Sequence, residues 1–231
     1  MDLHILSGGA AQGLVSALKP DFEADSGARL GGTFGAVGAM KEKLLAGEPC
    51  DVLILTQALI ADLEAAGHIV PGSAAPLGRV KTGIAVKSGA ARPEVSSADG
   101  LRAALLAARG IYFPDPQRAT AGIHFINVLK RLDILAAVEP ALRPFPNGAT
   151  AMAQMAQADE PGLLGCTQVT EILYTPGVAL VAALPSEFEL ATVYTAAVAS
   201  KAGQPELARR LVASLAGAGS RALRAEGGFE V

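Results

Sequence analysis

Leu3-His4-Ile5-Leu6-Ser7-Gly8-Gly9-Ala10-Ala11-Gln12-Gly13 is an apolar run that breaks into small residues and then opens a helix-like stretch reaching Ala24. A strand ending in small residues at a helix start lets backbone N–H groups and the helix dipole face an anion. The same device returns about thirty residues later. There Gly31-Gly32-Thr33-Phe34-Gly35-Ala36-Val37-Gly38 again reads as strand, small-residue turn and helix start, leading into Ala39 to Ala46. Two such turns in tandem point to one binding site approached from two loops.

The same alternation continues outward from these turns. Apolar residues recur at three and four positions in Ala10 to Ala24, Ala39 to Ala46, Gln57 to Ala66, Ala98 to Ala108, Gly122 to Leu132, Ala149 to Gln157 and Glu206 to Leu215, which predicts helices. Short apolar runs stand between them: Leu3 to Leu6, Val52 to Leu55, Thr82 to Val86, Gly110 to Phe113, Gly162 to Gly165, Val178 to Leu184 and Tyr194 to Val198. Strands alternating with helices predict an α/β protein with mostly parallel sheets. No repeat or polar linker separates two halves, so a two-domain chain would cross between them near Arg79 to Thr82 and Leu190 to Val193. That arrangement makes a discontinuous first lobe, 1–80 plus 194–231, and a second lobe, 81–193.

With 231 residues, 51% of them hydrophobic, the chain can bury a full core. A net charge of −3 without a basic run argues against nucleic acid as a partner. Cys50 and Cys166 are too few and too scattered for a disulfide framework or a zinc site, and read as small buried hydrophobes. No apolar stretch approaches the roughly 20 residues that cross a bilayer, and the residues after Met1 read as a strand rather than a signal peptide. On this reading the chain is either a mature periplasmic domain or a cytoplasmic protein, expected to be a monomer.

Gly8, Gly9 and Gly13 give GGxxxG, which is not the dinucleotide fingerprint, and the Walker motif is also absent. No cofactor is therefore expected. Two further helix starts match the anion-binding pattern. The stretch Phe113 to Gly122 leads a strand into the helix at Ile123, so the amides of Thr120, Ala121 and Gly122 are candidate donors, with Arg118 adding a charge-assisted bond. Asn147, Gly148, Ala149 and Thr150 open another helix, with Asn147 or Gly148 near the N-cap.

The order of these elements resembles the type II periplasmic binding proteins, and within them the molybdate-binding subunits of ABC importers. The likeness covers nearly the whole chain and rests on five places. These are the turn Ser7 to Ala11, the turn Gly35 to Gly38, the run Leu45-Ala46-Gly47-Glu48-Pro49-Cys50-Asp51-Val52-Leu53-Ile54, Asp115-Pro116 with Ala121-Gly122-Ile123, and Gly162 to Gly165. The resemblance implies two α/β lobes, each a mostly parallel sheet flanked by helices, with a small anion held in a cleft between them and a membrane permease as partner. It places Ser7, Gly8, Gly9, Ala10, Ala36, Val37, Arg118, Thr120, Ala121, Gly122, Asn147, Gly148, Ala149, Thr150, Gly165 and Thr167 at the ligand.

Departures from the family pattern narrow the ligand. Ala10 stands where the family places a serine, the second turn reads Gly35-Ala36-Val37-Gly38 without hydroxyls, and Gly165 falls near a position that is often tyrosine. A buried oxyanion loses about 1.5–3 kcal/mol for each missing charged hydrogen bond. An organic di- or tricarboxylate therefore fits better than molybdate. A small catalytic branch of the aconitate isomerase kind also resembles this chain, and its proton transfer needs a positioned base rather than a metal. His124, in the first turn after Ala121-Gly122, and Glu171 are the candidate bases, with Ser7, Thr120 and Thr167 as nearby hydroxyls. His4 and His68 are too scattered to complete a metal set with His124.

Overall fold

A computed structural model describes residues 1–231. Its strands, in chain order, are β1 (Asp2–Gly8), β2 (Arg29–Gly35), β3 (Val52–Thr56), β4 (Ala75–Lys87) and β5 (Gly110–Pro114). They continue with β6 (Leu142–Phe145), β7 (Leu163–Gln168), β8 (Val178–Ala183) and β9 (Ala191–Val198). The helices are α1 (Gln12–Ser26), α2 (Val37–Leu45), α3 (Gln57–Ala65), α4 (Ala98–Ala107) and α5 (Thr120–Arg131). After them come α6 (Leu135–Val138), α7 (Gly148–Gln157), α8 (Val169–Tyr174), α9 (Pro205–Ala216) and α10 (Arg221–Glu226). The chain forms two compact units: Met1–Val80 with Thr192–Val231, and Lys81–Ala191.

In the first unit β1 lies between β2 and β3, parallel to both, and β9 closes the other side of β3 in antiparallel register. Helices cover this sheet, so its inner strands can be apolar along their length rather than alternating. The first four residues of β3, Val52 to Leu55, are accordingly fully buried. Ala208, Leu211 and Leu215 of α9 join the same core as Leu3, Ile5 and Val52 to Leu55. Arg224 of α10 is buried without a carboxylate and donates to the carbonyls of Leu77, Ala216 and Gly217 at 2.6–3.0 Å.

The second unit orders its strands β8-β4-β7-β5-β6. β5 is parallel to β6 and β7, whereas β4 runs antiparallel to β7 and β8. Successive strand residues point to opposite faces, and this sheet carries one cluster per face. Ile84, Ile111 and Phe113 pack with Leu101, Leu105 and Phe125 on one side, while Ala85 and Tyr112 pack with Met152, Met155 and Ile172 on the other. Phe113 meets Phe125 at a ring separation of 5.4 Å, tilted by 59°.

The α/β class follows the sequence pattern; the short helices α6, α8 and α10 escape it, and two strands differ. β4 begins at Ala75 instead of Thr82, because Pro76 and Gly78, the latter at φ +141°, hide its alternation. β6 escapes the pattern because it is four residues long and contains Pro144, which an edge strand accommodates.

Candidate functional site

The first three N–H groups of an α-helix have no partner within the helix and must find one elsewhere. Three helices find it in a side chain at the N-cap. Thr56 accepts from Leu59 N–H at the start of α3, Ser97 from Gly100 N–H at α4, and Asn147 from Thr150 N–H at α7. Three others are preceded by alanine, which has nothing to accept with; one of them, α1, follows Ala11. Ala36 precedes α2 and Ala119 precedes α5, and neither helix has a side-chain cap. The amides of Val37, Gly38 and Ala39 in the first unit, and of Thr120, Ala121 and Gly122 in the second, are thus left uncapped.

In the first unit the open start of α2 lies at the carboxyl end of β2, which pairs along its length with β1. β1 ends in a single 3-10 turn, Gly9–Ala11, also without a side-chain cap. Gly8 is required here, since a Cβ would come within 2.8 Å of Val37 Cγ1 and 3.2 Å of the Tyr194 ring. The Ser7 hydroxyl is buried and donates to the Gly8 carbonyl at 2.8 Å, so it is already committed. Ala10 is buried beside it, which leaves backbone amides as the donors of this turn.

In the second unit the loop between β5 and α5 is shaped by Asp115. Its Oδ1 accepts from the backbone N–H groups of Gln117 (2.7 Å) and Arg118 (3.0 Å). Gly122 brings the first turn of α5 against the Pro114 and Asp115 carbonyls, where a Cβ would collide with both. Arg118 is exposed on the loop, Thr120 is half-buried, and Ala121 is buried. His124, one turn on, is half-buried, and its Nε2 lies 2.7 Å from the Phe188 carbonyl. A carbonyl only accepts, so Nε2 carries a proton and donates it to Phe188.

The start of α7 is occupied from within. Glu171 is buried, its carboxyl accepts from the Thr167 hydroxyl, and the backbone N–H groups of Gly148, Ala149 and Gln168 lie around it and favour its ionised form. Burial pushes this carboxyl above the usual carboxylate range, and those hydrogen bonds oppose the shift. The Asn147 cap takes the amide of Thr150, and the Glu171 carboxyl faces those of Gly148 and Ala149, all three of which the sequence assigns to the ligand. Gly165 is likewise no opening for a ligand. A Cβ there would press on Met152 Sδ at 2.8 Å, so the space is filled by core methionine. Glu171 reads from sequence either as a candidate base or as a solvated carboxylate; the structure makes it a buried carboxyl beside the start of α7.

Two residues at this end of the second unit carry no sequence signal and stand out only in three dimensions. Gln168, the last residue of β7, is 3% exposed, and neither Nε2 nor Oε1 has a hydrogen-bond partner in the protein. Thr82, its antiparallel partner on β4, is 1% exposed with an unpartnered hydroxyl. A buried polar group left without a partner costs about 1–3 kcal/mol. The cysteines are thiols out of reach of such chemistry: burial pushes Cys50 up to about 12 and Cys166 further in the same direction. No group of three or more His, Cys, Asp or Glu side chains gathers to hold a metal.

A family model described as bacterial extracellular solute-binding protein matches residues 3–230. Among characterised relatives, a Pseudomonas sp. protein named aconitate isomerase is 28% identical over 223 residues, covering 93% of this chain and 82% of that protein. The periplasmic molybdate-binding protein of Azotobacter vinelandii superposes with a TM-score of 0.80 at 20% identity, covering 99% of each chain. The sulfate-binding protein SubI of Mycobacterium tuberculosis H37Rv superposes with a TM-score of 0.75 at 17% identity, covering 99% of this chain and 86% of that one.

Proposed function

The chain belongs to the bacterial extracellular solute-binding proteins, and from that premise we propose that it captures an organic polycarboxylate outside the cytoplasmic membrane for an ABC-type permease. The supporting observation is the choice of donors. Alanine stands at the caps of α2 and α5, and Ser7 spends its hydroxyl on Gly8. A compact tetrahedral oxyanion concentrates its charge at one point, where several charge-assisted donors must converge, and here the hydroxyls are not free to join them. A polycarboxylate spreads its charge over separate groups, and a single carboxylate suits an open helix start. The relative named aconitate isomerase supports the same ligand class.

Titration calorimetry against tricarballylate, citrate, succinate, molybdate and sulfate tests this reading. Carboxylates are expected to bind and the inorganic oxyanions to bind far more weakly; the opposite ranking overturns the assignment. An isomerase is the second reading, favoured by that relative and by the imidazole of His124 in the first turns of α5, held at Nε2 by the Phe188 carbonyl. In it, a base removes a proton from the methylene carbon of a tricarboxylate, the double bond shifts, and a proton returns at the other end of the allylic system. Incubation with trans-aconitate in deuterated water is expected to give deuterated product that His124→Gln abolishes. Absence of exchange with the native protein eliminates catalysis on this substrate.

A further inference from the structure

Resting on the reading of the chain as a polycarboxylate binder, we propose that Gln168 and Thr82 form a polar subsite that reads a hydroxyl group of the ligand. The preferred ligand is then a hydroxy-substituted polycarboxylate. Both residues lie where a ligand of the second unit would sit. β7 runs parallel to β5, so its last residue, Gln168, lies on the same sheet edge as Pro114, from which the chain leads to the uncapped start of α5. Ligands of open α/β sheets bind outside the carboxyl ends of the strands. Thr82 reaches that edge because β4 runs antiparallel to β7 and pairs it directly with Gln168.

The chemistry of the two side chains selects the ligand group. A carboxamide has a donor and an acceptor, and a threonine hydroxyl can serve as either. Here all three atoms are buried without partners in the protein. An ionised carboxylate or an inorganic oxyanion offers acceptors alone, so it could satisfy Nε2 and the Thr82 hydroxyl but would leave Oε1 bare. A ligand hydroxyl donates to Oε1 and, with its two lone pairs, accepts from both Thr82 and Nε2, which completes the set. The reasoning does not depend on which amide atom is nitrogen, because both ends are unpartnered. A site built to hydrogen-bond a hydroxyl discriminates strongly against the analogue that lacks it, since its own polar groups are then stranded.

Matched pairs that differ by one hydroxyl test the proposal: citrate against tricarballylate, and malate against succinate. Calorimetry on the native protein is expected to show the hydroxylated member binding at least about 10-fold more tightly. In Gln168→Leu and in Thr82→Val that ratio is expected to fall towards one, with thermal melts confirming that each variant is folded. Equal affinity within both pairs for the native protein overturns the hydroxyl subsite while leaving a polycarboxylate binder intact. A ratio that survives both substitutions overturns it as well. If no carboxylate of either pair binds while molybdate or sulfate does, the underlying ligand class falls, and the subsite with it. The native ratio decides the matter even where a variant does not fold.

Discussion

Glu171 shows how one side chain can take a place that sequence reserves for a ligand. The pattern around Asn147 to Thr150 is a helix start with small residues, which sequence alone cannot tell from an open anion site. Its true partner comes from a later strand and helix, and nothing in the local spacing announces it. The buried carboxyl also fixes a sign for pH dependence. Its folded pKa lies above the ordinary 4.5, so the native state binds more protons than the unfolded chain in that window. Stability contributed by this group is present below pH 4.5 and is lost as pH rises towards the folded value. Chemical denaturation of the native protein and Glu171→Gln across pH 4 to 8 is expected to show the native protein losing ground to the variant with rising pH. A difference that stays flat, or that grows in the native protein's favour, contradicts the burial argument.

At the scale of elements, the helix starts separate into those closed by their own residues and those left open. Periodicity located α1 to α5, α7 and α9 to within a few residues, because each buries one apolar stripe. It could not reveal which starts were capped, because that depends on side-chain direction and on residues far along the chain. Ala36→Asp and Ala119→Asp provide a carboxylate to α2 and α5, and a good N-cap is worth about 1 kcal/mol. Each variant is expected to hold its melting temperature yet bind the polycarboxylate at least about 10-fold more weakly, since the new carboxylate competes for the amides. Unchanged affinity in both removes these helix starts from the site. Gly122→Ala makes the complementary test. Its Cβ would strike the Pro114 and Asp115 carbonyls, so a loss of about 1–3 kcal/mol in stability is expected from forced backbone movement. A melt that matches the native protein shows that the close approach is not required.

On the scale of the whole molecule, each unit has its own core. The segment Lys81–Ala191 is continuous in sequence and contains the whole of the sheet β8-β4-β7-β5-β6 except the start of β4. The segment Met1–Val80 lacks β9 and the α9 residues Leu211 and Leu215, which complete its core. Expressed alone, residues 81–191 are expected to unfold cooperatively, with dispersed amide resonances, whereas residues 1–80 are expected to give a collapsed spectrum. Two well-dispersed spectra would show that the C-terminal helices matter less to the first core than their burial indicates. Sequence pattern gave the alternation that specifies an α/β class, but it was silent on Gln168 and Thr82. Their meaning depends on which strands become neighbours.

One consequence follows from where the chain ends lie. Met1 and Val231 belong to the same unit, and Glu230 pairs with Arg79 through both backbone and side chain just before the chain leaves that unit. The middle segment is therefore a guest spliced into a host whose margins are stitched together. Grafting the corresponding segment of a relative between Val80 and Thr192 would exchange the whole second unit in one transplant, leaving the host's hydrophobic interior untouched.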